Sequence, residues 1–310
     1  MTGEQLAHWI EESTSTVFFG GAGMSTESGI PDFSSAGGLY TTQHDLPFPA
    51  EYMLSHSCFV EHPAEFFDFY RTYLVHPQAR PNAGHRALAA LERAGQVSTI
   101  ITQNIDGLHQ EAGSRQVIEL HGSVHRNRCL ACGRAHPLSV IMDAPGVPRC
   151  SCGGMVRPEV VLYEESLRSQ DLDNATTAIS TADLLIVGGT SLNVYPAAAL
   201  LRFFRGRHLV FINREATGYD RAADLVIHDG LGKTLSAVQR AVMPWRVALV
   251  CGFGLPPHRR GIHQPTTTDA GAVTRYECTR SNVSKLCGAA QLNSTLAGVL
   301  RSDLDCLASA

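Results

Sequence analysis

Over residues 1–243, short unbroken apolar runs alternate with stretches whose apolar positions recur every three or four residues. The second pattern predicts helices over 5–13, after Pro63 (with Phe66, Phe67, Tyr70 and Leu74 near one face), over 82–93 closed by Gly95, over 167–180, opening at Pro196, and over 233–242. The first predicts strands over 16–19, 97–102, 117–120, 184–187, 209–212 and 224–227. Buried strands alternating with helices mean a parallel sheet covered on both faces, a doubly wound, Rossmann-like α/β domain. Two stretches interrupt it. One, about 35–80, reads as a helical module; the other, about 121–160, holds cysteine, glycine, proline and arginine but no long periodic run. From Pro244 the periodicity stops, and 244–310 reads as a C-terminal appendage of unknown structure.

Composition narrows the class. The chain has 310 residues, 44% hydrophobic and 17% charged, which excludes a disordered or fibrous protein. With 25 basic and 29 acidic residues the net charge is −4, so nothing electrostatic argues for nucleic acid or an anionic membrane as partner. The longest apolar stretches, such as 247–255, are too short to span a bilayer. Residues 1–12 lack the basic start and apolar block of an export signal, so the expected location is the cytoplasm. Four of the nine cysteines are clustered, as Cys129-x2-Cys132, seventeen intervening residues, and Cys150-x-Cys152. Two close pairs separated by a loop suit one structural zinc ion with four thiolate ligands.

The remaining candidate chemistry stands where strands end. Gly20-Gly21-Ala22-Gly23-Met24-Ser25 follows the first strand, where glycines let a backbone turn bring its N–H groups against a phosphate. Taken alone, the run is equally an ordinary strand-to-helix turn. It also fails the dehydrogenase fingerprint, because Thr26 occupies the third glycine position and no strand precedes Asp45 to aim it at a ribose. Asp32 and Phe33, in Ser28-Gly29-Ile30-Pro31-Asp32-Phe33, could cap a helix or line a cover over a ligand held by the glycine turn. Gln103, Asn104 and Asp106 crowd one strand exit, and His121 follows the next. Gly189, Thr190 and Ser191, with Asn213 after the following strand, outline the other side of a cleft.

In order, GAGMSTESGIPDFSSAGGLY, TQNIDGLH, ELHGS, the two cysteine pairs, RPEVVLYEESL, GGTSLNVYPAA and FIN resemble the sirtuin family of NAD-dependent protein deacylases over about residues 1–243. The resemblance implies an enzyme that transfers an acyl group from protein lysine to ADP-ribose. Its cofactors are NAD as co-substrate and one structural zinc. Its partners are acyl-lysine proteins or peptides. Gly21, Ala22 and Gly23, with Asp32 and Phe33, look like the phosphate and nicotinamide positions; Gln103, Asn104 and Asp106 resemble the residues that hold the nicotinamide ribose. His121 looks like the catalytic base, acting with Asn104 and Asp106, and Gly189, Thr190, Ser191 and Asn213 resemble the adenosine side. Val160, Val161, Leu162 and Tyr163, facing Leu192, Asn193 and Val194, look like the edges between which an acyl-lysine peptide lies as an added strand. In the implied chemistry the acyl oxygen displaces nicotinamide from C1′ of the ribose. His121 then deprotonates a ribose hydroxyl that attacks the imidate carbon, and water releases lysine and O-acyl-ADP-ribose.

Two departures matter. Ser34 stands where the family has arginine after Pro-Asp-Phe, and Leu162-Tyr163-Glu164-Glu165 replaces the common Phe-Gly-Glu of the acyl loop. Phe67-Asp68-Phe69-Tyr70 aligns with the Tyr-x-x-Arg pair of members that remove acidic acyl groups, so acetyl or longer apolar chains are expected, while Arg71, one residue on, keeps an acidic acyl group open as the alternative. The competing functions are an NAD glycohydrolase or ADP-ribosyltransferase on the same fold, and a non-catalytic NAD or ADP-ribose binding module.

Overall fold

The computed structural model describes residues 2–33, 38–40, 46–192 and 196–243. Ser34, Asp45, Asn193, Val194 and the appendage over 244–310 lie outside the described residues. By its internal contacts the chain separates into Met1–Val242 and Met243–Ala310; the elements below belong to the first unit.

The strands among the described residues are β1 (Thr16–Gly20), β2 (Thr99–Thr102), β3 (Val117–Glu119), β4 (Gly122–Cys129), β5 (Ala135–His136), β6 (Val156–Val160), β7 (Leu184–Gly188), β8 (His208–Ile212) and β9 (Leu225–Ile227). Six form a parallel sheet in the order β3-β2-β1-β7-β8-β9. The chain works outward from β1 through β2 to β3, then returns to the other side of β1 with β7. Strand order therefore reverses between β1 and β7, where doubly wound sheets open a crevice at the strands' carboxyl ends. Gly20 pairs with Gly188, so the two following loops leave the sheet side by side.

Every residue of β1 and β7 is buried, because both faces are covered. Val17, Phe19, Ile101, Leu185, Val187 and Phe211 pack with helix Ser169–Thr181 and the segment Ala197–Phe203. The alternate residues Phe18, Ile100, Ile186 and Val210 point to the opposite face. Helix Ala83–Arg93 starts at Asn82, whose Oδ1 accepts the N–H groups of Gly84 (2.9 Å) and His85 (3.3 Å). His85 Nδ1 accepts the Asn82 N–H in return, a capping box with histidine where glutamate or glutamine is usual. Gly95, at φ 73°, follows that helix in the left-handed region, as its position predicts.

A second, antiparallel sheet in the order β5-β4-β6 is built from the cysteine-rich stretch. The eight-residue strand β4 escapes periodicity because its register shifts between Ser123 and Asn127, which breaks the alternation of buried and exposed positions. Helices Ala50–Met53, His56–Glu61 and Pro63–Phe69 and the π-helical turn Tyr70–Leu74 pack on this sheet. Phe59, Phe66, Phe67 and Tyr70 share one core with Val124, Cys129, Ile141, Cys150 and Val156. The helical and cysteine-rich stretches are therefore two halves of a single lobe. Arg71 staples them, donating to the carbonyls of Gly146 (2.9 Å) and Ile141 (3.3 Å) while pairing with Asp68.

Two other elements differ from expectation. The segment after Pro196 is a 3₁₀ helix, Ala197–Phe203, whose three-residue repeat lines up Ala197, Leu200 and Phe203 along one edge. Strand β2 begins at Thr99 rather than 97, because the Val97 N–H turns back to the carbonyl of Leu91. No helix among the described residues is long and apolar enough to cross a membrane.

Candidate active site

The loops after β1 and β7 interlock. The N–H of Gly21 donates to the Gly188 carbonyl (3.2 Å) and that of Gly23 to the Gly189 carbonyl (2.8 Å). A Cβ on Gly23 would lie 2.7 Å from the Gly189 Cα, and one on Gly189, at φ 61°, 2.5 Å from the Met24 nitrogen. The glycines thus serve close backbone approach between the loops, and two of the N–H groups expected to face a phosphate are already engaged. Asn82 Nδ2 supports the turn from below, donating to the Met24 carbonyl (2.8 Å) and the Ser28 hydroxyl (3.0 Å).

Four strand exits are joined by side chains. Gln103 Nε2 donates to Thr190 Oγ1 (3.2 Å), and Asn213 Oδ1 accepts the Thr190 N–H (3.0 Å). Asn213 Nδ2 is buried with no protein partner, a donor left for a ligand or water. Ser25, buried beneath the glycine turn, donates to Asp106 Oδ2 (2.6 Å) and accepts from Asn104 Nδ2 (3.0 Å). Asp106 Oδ1 also accepts the Leu108 N–H (2.9 Å), so both its oxygens are oriented.

His121 lies between the last strand of the large sheet's first half, β3, and the first strand of the small sheet, β4. Its Nδ1 stands 2.8 Å from the backbone carbonyl of Gln103. A carbonyl can only accept, so Nδ1 carries the proton and Nε2 carries the lone pair of the neutral ring. Burial lowers the His121 pKa from its ordinary value, against the opposite pull of the Gln103 carbonyl. The ring is therefore neutral near pH 7 and able to take a proton at Nε2. Gly122, at φ 80°, allows the turn into β4, and a Cβ there would lie 2.0 Å from the Glu159 carbonyl oxygen.

The proposed peptide edge begins beside this histidine. Val160 ends β6, an edge strand of its sheet, and the Val161 N–H donates to the His121 carbonyl (2.9 Å). The N–H groups of Leu162 and Tyr163 are engaged too, with Glu165 Oε2 (3.0 Å) and the Leu54 carbonyl (3.0 Å). A strand added here can use the outer side of β6, but not those three N–H groups, nor the carbonyls of Leu162 and Tyr163, which accept the N–H groups of Glu165 (3.1 Å) and His56 (3.0 Å). Glu164, at φ 74°, is held by Ser57, whose N–H and hydroxyl both donate to its Oε2 (2.9 and 2.7 Å). Across the cleft Leu192 is buried at φ 59°, with its N–H on Thr190 Oγ1 (3.1 Å). Ser191 is exposed.

Sequence reasoning missed Ser25, Asn82 and Tyr40. Ser25 stands at the end of the glycine run, but the run alone gives it no role; nothing local marks a role for the other two. Tyr40 donates its N–H to the Phe33 carbonyl (2.9 Å) and its hydroxyl lies 2.8 Å from that of Tyr163. Phe33 and Tyr40 face each other with centroids 5.4 Å apart.

The four cysteines converge at the far end of the small lobe. Their sulfurs all lie within 4.8 Å of one another, with Cys129 to Cys152 at 3.5 Å and Cys132 to Cys150 at 3.8 Å. Four thiolates at about 2.3 Å from a tetrahedral zinc stand roughly 3.8 Å apart, so the donor set and its dimensions fit one zinc ion with no open position.

The chain matches the Sir2 family over residues 21–196. A protein of Cutibacterium acnes called NAD-dependent protein deacetylase is 99% identical over 244 residues, 79% of this chain and 100% of that protein. One of the same name from Clostridium acetobutylicum is 54% identical, over 76% of this chain and 96% of its own length. Among solved structures, a Sir2 homologue in complex with NAD superposes at a TM-score of 0.70, with 36% identity, 79% of this chain and 94% of that one covered. A Sir2 variant with a deacetylated p53 peptide and 3′-O-acetyl-ADP-ribose gives 0.71 and 36%, covering 77% and 98%. With the family match across more than half of its length, a reversal-point cleft and a four-thiolate site, the chain belongs to the Sir2 family.

Proposed function

We propose that this protein removes acetyl groups from protein lysine with NAD as co-substrate, releasing nicotinamide and O-acetyl-ADP-ribose. The observation that carries the reading is His121. Its Nε2 is the basic nitrogen, at a site bounded by Gln103 on one side and by the backbone of the acyl loop, through Val161, on the other. In this reading NAD lies across the reversal point. Ala22 and the Gly21–Gly23 turn, with Asp32 and Phe33, take its phosphate and nicotinamide side, and Gly189, Thr190, Ser191 and Asn213 its adenosine side. Gln103, Asn104 and Asp106 hold the ribose whose hydroxyl gives its proton to His121. The Ser25 contacts hold Asn104 and Asp106 in one orientation before the ligand arrives, which lowers the ordering required on binding. Zinc, held by Cys129, Cys132, Cys150 and Cys152, supports the small lobe and takes no part in the reaction.

The acyl group is acetyl or a longer apolar chain. Arg71 is engaged by Asp68 and two carbonyls, which leaves it unsuited to an acidic acyl group. Phe67 is buried in the apolar core of the lobe. A cytoplasmic location accords with this function, since a reducing compartment keeps four thiolates available for metal. Residues 244–310 form an appendage to the catalytic unit.

Mass spectrometry of the protein with NAD, with and without an acetyl-lysine peptide, tests the reading. Peptide-dependent O-acetyl-ADP-ribose that disappears in His121→Ala is the expected result. Nicotinamide released equally without peptide would instead mark a glycohydrolase or ADP-ribosyltransferase, and NAD binding without turnover a binding module.

A further inference from the structure

Phe33 and Tyr163 are among the few large apolar side chains that the described residues leave exposed, at 38% and 41%. Both stand on the rim of the cleft, and Tyr40 connects them. On one side the Tyr40 ring faces Phe33, and the backbone of 39–40 is bonded to 32–33 through Leu39 N–H to Asp32 carbonyl (2.8 Å) and Tyr40 N–H to Phe33 carbonyl (2.9 Å). Gly38 makes this approach possible, since a Cβ there would lie 2.7 Å from Asp32 Oδ1 and 2.8 Å from the Phe33 carbonyl carbon. On the other side the Tyr40 hydroxyl meets that of Tyr163 at 2.8 Å.

Both ends of the bridge are anchored. Leu39 is buried in the small-lobe core. Tyr163 donates its N–H to the Leu54 carbonyl and accepts the His56 N–H at its own carbonyl, each at 3.0 Å. The next residue, Glu164, is held in a left-handed conformation by Ser57. The hydroxyl pair, though exposed, thus joins two segments that are each held by their own backbone contacts. Burial and the neighbouring Tyr163 hydroxyl push the Tyr40 phenol well above its ordinary pKa, so Tyr40 keeps its proton for the contact.

We propose that Tyr40 and Tyr163 are positioning residues that couple the two substrate subsites. Through their hydroxyls, an acyl-lysine peptide seated against the Val160–Tyr163 segment favours the Asp32–Phe33 arrangement that receives NAD, and bound dinucleotide favours the peptide in return. The inference rests on the deacylase reading of the site. Linkage makes the effect reciprocal in binding, so it can be read without chemistry.

The test is calorimetric titration of the full chain with ADP-ribose, alone and with saturating acetyl-lysine peptide, for wild type, Tyr40→Phe, Tyr163→Phe and the double variant. The wild type is expected to bind ADP-ribose about three- to tenfold more tightly with peptide, the worth of one neutral hydrogen bond. Each single variant should lose that gain while keeping the wild-type melting temperature, and the double variant should lose no more than either single one. A wild type indifferent to peptide, single variants that keep the gain, or losses that add in the double variant would overturn the coupling. So would a loss accompanied by a lower melting temperature, which would assign the bridge to folding. Peptide-dependent nicotinamide release by the wild type, measured alongside, separates the two failures. If it is present, only the coupling has failed; if it is absent, the deacylase reading has failed and the coupling with it.

Discussion

His121 is a base only while its ring is neutral. Because burial lowers its pKa, the neutral form extends below the ordinary histidine range. Activity is present above the folded-state pKa and lost as pH falls through it, so kcat/KM should decline on the acid side with a midpoint below 6.5. A pH profile with its midpoint at or above that value would refute the assignment. Ser25 offers a second test. Ser25→Ala leaves Asp106 Oδ2 and Asn104 Nδ2 each without the serine hydroxyl. A hydrogen bond to a charged group contributes about 1.5–3 kcal/mol, so kcat/KM should fall roughly ten- to a hundredfold with little change in melting temperature. Ser34→Arg restores the family's cation, and a lower NAD KM is expected; an unchanged KM would show that nothing is missing there.

In the loops and strands, glycine decides geometry through contacts rather than freedom alone. The Cβ of Gly23→Ala would meet backbone, the Gly189 Cα at 2.7 Å, which has no rotamer to yield. The two loops must separate, which costs about 1–3 kcal/mol as overpacking does elsewhere. Thermal melts should show a lower midpoint and kinetics a raised NAD KM. The glycine run was visible in the sequence but its use was not, because alone it is equally an ordinary strand-to-helix turn, and Gly23 meets Gly189 from a loop far along the chain. Strand β4 was not visible, because its bulge breaks the two-residue alternation on which strand recognition depends. The 160–163 segment stood out as a candidate peptide edge, but the engagement of its backbone did not. That the N–H groups of Val161, Leu162 and Tyr163 bond to His121, Glu165 and Leu54 follows from partners distant in the chain.

For the folded chain as a whole, two buried features govern stability. The first is the shared core of the small lobe, which includes Cys129 and Cys150. Chelation of zinc, or Cys150→Ser, should therefore disorder the helices His56–Glu61 and Pro63–Phe69 as well as the cysteine strands. Activity would be lost together with near-ultraviolet dichroism from Phe66, Phe67 and Tyr70. An active, fully folded metal-free protein would contradict it. The second is the pair His85 and His109, whose rings meet at 4.7 Å with three nitrogens lacking protein partners. Burial lowers their pKa values to about 4 and about 3. Above pH 6.5 both states hold them neutral. Below it the unfolded chain takes up protons that the folded one does not. Stability is therefore lost as pH falls from about 6.5 toward 4, by at most about 1.4 kcal/mol per pH unit for each ring. Replacing His109 with leucine should flatten the fall of melting temperature between pH 7 and pH 5, and an unaltered slope would reject the pair as its source.

Fold class, the chain order of the sheet-forming elements and the four clustered thiolates follow from linear features, while roles for the candidate catalytic positions come from the family resemblance. Buried parallel strands need continuous apolar runs, tight turns need glycine, and a metal needs its ligands in close pairs, so each leaves a local trace in composition and spacing. Other properties belong to pairs of residues far apart. The proton on His121 Nδ1 is set by a carbonyl eighteen positions away, and Arg71 donates to the carbonyl of Gly146, seventy-five positions on. Tyr40 and Tyr163 meet across 123 positions. Such partners are chosen by packing, which no periodicity along the chain records, and only the folded arrangement shows which side chains remain available to a substrate.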